Sequence, residues 1–169
     1  MFDLKRILFP TDFSECGRAA EKYALALAER FGAELHILHV LADIMTTLPE
    51  PGSALLLPQN FLGDMKQEAQ RTLDKVLPDA TKAGLRVVRA TRMGNAYVEI
   101  VKYAEEMSID LIVVGTHGRG GLMHMLLGSV VEKVVRKSPC PVLTVRPAGH
   151  QFVTPGTNVN RLETVKTPG

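Results

Sequence analysis

Short apolar runs alternate with helix-spaced segments along most of this chain, and that alternation limits the folds open to it more than any other feature. The runs RILFP (Arg6–Pro10), ELHILHV (Glu34–Val40) and DLIVVG (Asp110–Gly115) are rich in branched apolar residues and of strand length. Two weaker runs, RVVRAT (Arg86–Thr91) and PVLTVR (Pro141–Arg146), bring the expected strands to five. A first helix is expected from a cap at Ser14 to a stop at Gly32, with Ala20, Ala24, Leu27 and Phe31 on its inner face. A second, over Phe61–Gly84, places Met65, Ala69, Leu73 and Leu77 together, with Pro78 kinking or interrupting it before Gly84 closes it. A third turns in Val98, Val101 and Ala104 or Glu105, and a fourth Val130, Val131, Val134 and Val135. Strands joined by helices in this way form a parallel sheet covered on both faces, because each parallel crossover needs a helix to return the chain. With right-handed crossovers the strand order reverses beside strand one, and a crevice opens at the carboxyl ends of the two central strands.

The chain has 169 residues, 46% of them hydrophobic, which suits one domain with a single sizeable core. Its net charge of +2 is spread over interspersed acids and bases, aromatics are 5% and tryptophan is absent, so no nucleic-acid surface is expected. Cys16 and Cys140 are the only cysteines and form no CxxC pair, which argues against a disulfide framework and a zinc cluster. No stretch is long and apolar enough to span a membrane, and the first residues lack the pattern of a signal peptide, so a cytoplasmic protein is expected. Two segments fall outside the alternation. Residues 41–60 read as a long irregular loop with three prolines, and 147–169 as a flexible tail or an arm on a partner.

The stretch GTHGRGGLMHMLLGS, Gly115–Ser129, is too long for a simple turn between the fourth strand and the last helix. If that helix starts at Ser129, its unpaired N–H groups and its dipole favour an anion at the carboxyl edge of the sheet. Gly115, Gly118 and Gly128 would let phosphate oxygens approach the backbone, and Ser129 adds a hydroxyl. Neither common nucleotide motif fits. No lysine precedes Ser129 as in GxxxxGK[ST], and Met123 stands where a GxGxxG starting at Gly118 needs its third glycine.

The spacing Gly115-x2-Gly118-x9-Gly128-Ser129 does match a narrower pattern. With PTD at Pro10–Asp12, HILHV at His36–Val40 and SPCPVLTVR at Ser138–Arg146, it resembles the ATP-binding branch of the universal stress protein family. The resemblance implies a domain over residues 1–146 and a single-domain, doubly wound α/β fold, Rossmann-like and akin to the adenine nucleotide alpha-hydrolases. It further implies a five-stranded parallel sheet in order 3-2-1-4-5. A homodimer joined through the last strand, around Val142 to Val145, an unidentified protein partner, and bound ATP with Mg²⁺ on its phosphates are implied as well. By the same resemblance, Pro10, Thr11 and Asp12 border the adenosine half of the ligand and Val40 flanks adenine. Met93 and Gly94 approach the ribose and adenine, and Gly115, Thr116, Gly118, Arg119, Gly128, Ser129 and Val130 surround the ribose and phosphates. The family often has proline two residues beyond the glycine matching Gly94, where this chain has Ala96.

Simpler roles stay open for several of these residues. Asp12 can form an Asx turn or cap leading into the first helix. His36 and His39, three apart on a strand, point to opposite faces and make a poor metal pair. His117 and His124 lie in the long loop with no carboxylate or nucleophile adjacent in sequence, and the run Met123–Leu127 is apolar enough to pack on its own helix or on a partner. Cys140 is expected to pack where the last strand begins. Cys16 is expected to be buried, with a lowered thiol pKa at the helix end as the other possibility. With no base, nucleophile and water-positioning carboxylate readable together, slow or absent ATP hydrolysis is expected, and the chain reads as a nucleotide-responsive regulator in stress response. A slow ATP-using enzyme and a nucleotide-free dimeric interaction module are the other classes consistent with the sequence.

Overall fold

The computed structural model of the protein describes residues 3–44, 58–78, 80, 84–117 and 127–146. Its elements run β1 (Arg6–Pro10), α1 (Glu15–Phe31), β2 (Glu34–Leu41), α2 (Phe61–Asp74), β3 (Val87–Met93), α3 (Ala96–Glu106), β4 (Leu111–Gly115), α4 (Ser129–Lys137) and β5 (Val142–Val145). All strands pair in parallel, in the order β3-β2-β1-β4-β5. The expected doubly wound sheet is therefore present, with the reversal beside β1. β1 has the expected limits, and those of the other strands differ by one or two residues. β3 shows the largest difference, running on to Met93 while in register with β2 from Leu35↔Val87 to Leu41↔Met93.

The pleat divides the core into two layers. Ile7, Phe9, Leu35, Ile37 and Val113 face α1 and α2, where Ala20, Ala24, Ala28 and Leu73 meet them. Leu8, Leu38, Ile112 and Val114 face α3 and α4, where Ile100, Tyr103, Ala104, Val131 and Val134 close the second layer. Full burial of each large apolar side chain contributes about 1.5–3 kcal/mol. Ser14 caps α1, accepting the Gly17 N–H at 3.3 Å, and Gly32 ends it, both as expected. The α1 face is made of small residues, Gly17, Ala20, Ala24 and Ala28, so the helix lies close on the sheet; Leu27 is only half-buried and Phe31 is exposed.

Three helical expectations need correction. α2 ends at Asp74, well before Gly84, because the ring of Pro78 would clash with the Asp74 carbonyl in a continuing helix. Leu77, before the proline, turns to a φ of 50° and leaves the helical stripe. Arg89 of β3 then donates to the freed carbonyls of Val76 and Leu77, at 2.8 and 2.9 Å. α3 buries Ile100, Tyr103 and Ala104, while Val98 and Val101 are only half-buried. In α4 only Val131 and Val134 reach the core, leaving Val130 and Val135 exposed.

His36 and His39 do point to opposite faces. His36 is fully buried in the α3 layer, with Nδ1 2.9 Å from the Tyr103 hydroxyl and Nε2 2.9 Å from Glu34 Oε1. Burial holds its pKa below the usual histidine value despite the Glu34 carboxylate, and burial also raises that of Tyr103. A lowered folded-state pKa means that the unfolded chain binds the proton first. The stability that neutral His36 contributes is thus complete above about pH 6.5 and is lost as pH falls toward the lower folded value. Thermal midpoints measured from pH 7.5 down to 5 should therefore fall more steeply for the wild type than for His36→Leu. Parallel profiles would show that folding leaves the His36 pKa unshifted.

Candidate functional site

The carboxyl edge of the sheet begins with the turn from β1 to α1. Thr11 donates its N–H to the Leu38 carbonyl at 2.9 Å, and its own carbonyl meets Nδ1 of buried His39 at 2.8 Å. Phe13 takes a φ of 63°, in the left-handed region that L side chains rarely occupy, at a cost of about 1–2 kcal/mol. Two contacts hold it there: its N–H donates to Thr11 Oγ1 at 3.1 Å, and its ring lies 4.3 Å from that of His39. Asp12 Oδ1 accepts the Ser14 N–H at 3.0 Å, the Asx turn foreseen from sequence. The side-chain oxygens of Thr11, Asp12 and Ser14 gather over the first turn of α1 around Gly17. Pro10 is buried in β1, in register with Leu38.

Across the reversal, β4 ends at Gly115. A Cβ on Gly115 would lie 2.7 Å from the backbone oxygen of Cys16, so glycine is needed there for the approach of α1. On its Cβ side Gly115 therefore faces α1. Thr116 is buried, its N–H donating to Val145, its carbonyl accepting the Gly128 N–H at 2.8 Å, and its hydroxyl 3.1 Å from His117 Nδ1. The Gly128 contact returns the chain to the end of β4 and starts α4 beside it. Gly118 and Arg119 lie outside the described residues, as does His124.

Between the end of β2, the β3–α3 turn and α4 lies a cleft of about 560 Å³, lined by Val40, Ala42, Asp43, Gly94, Asn95, Ala96, Tyr97, Ser129, Val130 and Lys133. That volume lies within the range of about 300–1,000 Å³ usual for small-molecule sites. Of the expected residues it gathers Val40, Gly94, Ser129 and Val130. Pro10, Thr11, Asp12, Met93, Gly115, Thr116 and Gly128 are not among its lining residues; Met93 ends β3 just before Gly94, and Gly128 directly precedes Ser129. Gly94 has a φ of 144°, and a Cβ there would press at 3.2 Å on the Glu99 side chain, so this turn also requires glycine. Two helices start in the cleft wall, α3 after Asn95 and α4 after Gly128, and neither residue caps its helix with a side-chain hydrogen bond. Their first-turn N–H groups give the wall a positive potential. Sequence reasoning did not find Ala42, Asp43, Asn95, Ala96, Tyr97 or Lys133. Only Lys133 carried a usable signal, four residues after Ser129 and so on the same helical face.

Residues 3–146 match the model of the universal stress protein family. The chain belongs to that family. Universal stress protein MJ0531 of Methanocaldococcus jannaschii is 38% identical over 143 residues, 84% of this chain and 82% of that protein. The solved structure of MJ0577 superposes with a TM-score of 0.76 at 32% identity, covering 87% of this chain and 99% of that one. A universal stress protein solved in complex with cAMP matches with a TM-score of 0.59 at 25% identity, covering 85% and 98% of the two chains. In this universal stress protein, the two glycines that frame the crossing from β4 to α4 differ in how tightly they are packed. Gly115→Ala forces a Cβ against backbone and should lower stability by about 1–3 kcal/mol in urea unfolding. Gly128→Ala, with a φ of −67° and the Thr116 carbonyl oxygen 3.4 Å from the new Cβ, should cost less than half as much.

Proposed function

We propose that this universal stress protein binds ATP in the cleft at the reversal of the sheet and acts as a cytoplasmic, nucleotide-responsive regulator in stress response. The observation that carries this reading is the convergence of two uncapped helix starts and Lys133 on one nucleotide-sized cleft. The cAMP-bound relative adds a nucleotide ligand on the same fold. Apolar Val40 and Ala42 suit a nucleobase, and the Asp43 carboxylate suits ribose hydroxyls and repels phosphate. The phosphates then belong at the α4 end, with Ser129, Val130 and the backbone of Gly128, and with Gly118 and Arg119 from the loop. Pro10, Thr11 and Asp12 would border the adenosine half, Met93 the ribose and adenine, and Gly115 and Thr116 the ribose and phosphates. Mg²⁺ would be held chiefly by the phosphates, since no group of three or more His, Cys, Asp or Glu able to hold a metal occurs among the described residues. Slow or absent hydrolysis accompanies this reading, because no base, nucleophile and water-positioning carboxylate are readable together in the sequence.

Ser129→Glu tests the site without weakening the fold. A carboxylate in the first turn of α4 favours the helix by about 0.3–1 kcal/mol yet repels an anion from the same N–H groups. Calorimetric titration of nucleotide-free protein should show micromolar ATP binding, weakened by about tenfold or more in Ser129→Glu, with the thermal midpoint held or raised. No binding to the wild type at millimolar ATP would overturn the proposal. Steady release of phosphate over many turnovers would favour an ATP-using enzyme.

A homodimer through β5 belongs to the same proposal. β5 (Val142–Val145) and β3 are the edge strands, but β3 carries Arg89 and Arg92, while β5 has no charged residue. Leu143 on β5 is exposed, as are Val130 and Val135 on the adjoining α4. An apolar edge without charges invites a second strand. Leu143→Lys should shift the protein from dimer to monomer in sedimentation equilibrium while its unfolding stays cooperative; an unchanged mass would place the interface elsewhere.

A further inference from the structure

We infer that Lys133, braced against Tyr97, makes this cleft select nucleoside polyphosphates over cyclic or single phosphates, an inference that rests on the nucleotide reading above. Lys133 is the lysine among the described lining residues, and it stands one turn, about 6 Å, along α4 from Ser129. Side chains on a helix lean toward its N-terminus, so the Lys133 stem runs back along the wall toward Ser129. Its ammonium lies 5.1 Å from the centre of the Tyr97 ring, and Tyr97 itself lines the cleft from the first turn of α3. The ring holds the charge at the mouth of the cleft by cation–π attraction.

This charge is not neutralised locally. Glu132, its neighbour in sequence, lies 3.3 Å from Arg136 in an ion pair one turn along. Lys133 forms no ion pair with any described residue. Lys137 approaches the same Tyr97 ring, at 5.5 Å from its centre. A polyanion at the α4 start draws on Lys133, because only that lysine of the pair also lines the cleft. The Asp43 carboxylate in the lining opposes anions nearby and so favours phosphates at the Lys133 end. A cyclic monophosphate brings a single negative charge, whereas a triphosphate brings several and reaches further along α4. The attraction of a point charge such as an ammonium grows with the charge placed near it.

The test is calorimetric titration of ATP and of cAMP into nucleotide-free wild type, Lys133→Gln, Lys133→Arg and Lys137→Gln at one ionic strength. Lys133→Gln should weaken ATP by about tenfold or more and cAMP by about twofold or less, and Lys133→Arg should keep ATP within about threefold of wild type. Lys137→Gln, which removes a nearby charge outside the lining, should leave both nucleotides within about twofold. Equal weakening of both nucleotides by Lys133→Gln, no weakening of ATP, or an equal loss in Lys137→Gln would each overturn the inference while leaving nucleotide binding intact. Failure of the wild type to bind either nucleotide would overturn the nucleotide reading, and this inference with it.

Discussion

The close contact between Gly115 and the carbonyl of Cys16 sets the geometry on which the carboxyl edge of the sheet depends. With a Cβ there only 2.7 Å from a backbone oxygen, either α1 must stand further from β4 or β4 must bend. α1 follows β1 by a four-residue turn, so lifting the helix would pull on Thr11, Asp12 and the strained Phe13. That turn is in turn held from β2, through His39 on the Thr11 carbonyl and under the Phe13 ring. One missing methyl group thus couples the ends of β1, β2 and β4, the three strands around the point where the sheet reverses. The same economy appears along α1, whose buried face of glycine and alanine keeps the whole helix near the sheet.

With that edge drawn together, the cleft owes its position to topology and its chemistry to a few side chains. The reversal beside β1 leaves the carboxyl ends of the strands uncovered at one place, and α3 and α4 both start there. α1, by contrast, has the Gly17 N–H of its first turn accepted by the Ser14 hydroxyl. The difference is chemical: a side-chain cap takes up part of a helix start's N–H groups, whereas an uncapped start presents them to whatever enters. The positive potential of the cleft therefore has a backbone part, from the two helix starts, and a side-chain part, from Lys133.

Much of the fold was legible because its signals are local. The strand runs, the Ser14 cap and the Gly32 stop each depend on residues within a few positions of one another. The face of α3 was misread because AYVEIVKYAEE has apolar or aromatic residues at 97, 98, 100, 101, 103 and 104, which leaves the period nearly undefined. Only the position of the sheet selects Ile100, Tyr103 and Ala104. The valine pairs of α4 are ambiguous for the same reason. The role of Gly115 was hidden differently, since its partner is a backbone carbonyl about a hundred residues earlier that no motif can encode. Asp43, Tyr97 and Lys133 sit on three separate elements, and nothing but the crossover geometry brings them to one cleft.

α4 joins the two surfaces on which the proposed function rests. Its first turns carry Ser129, Val130 and Lys133 into the cleft, and its last turn leads directly to β5. The connection is short and stiff: the Ser138 N–H closes on the Val134 carbonyl at 2.8 Å, and the Ser138 hydroxyl donates to the Cys140 carbonyl at 2.8 Å. Burial raises the Cys140 thiol pKa, in keeping with a packing role in this turn. A helix of nine residues, buried along one side by Val131 and Val134, moves as a unit if it moves at all. A ligand that moved the start of α4 would thus act on the segment that leads to β5. If a nucleotide changes the affinity of one chain for another through this helix, association must change the affinity for the nucleotide by the same factor. Regulation by binding alone then needs no hydrolytic machinery, only a ligand that interacts differently with α4 in the two assembly states.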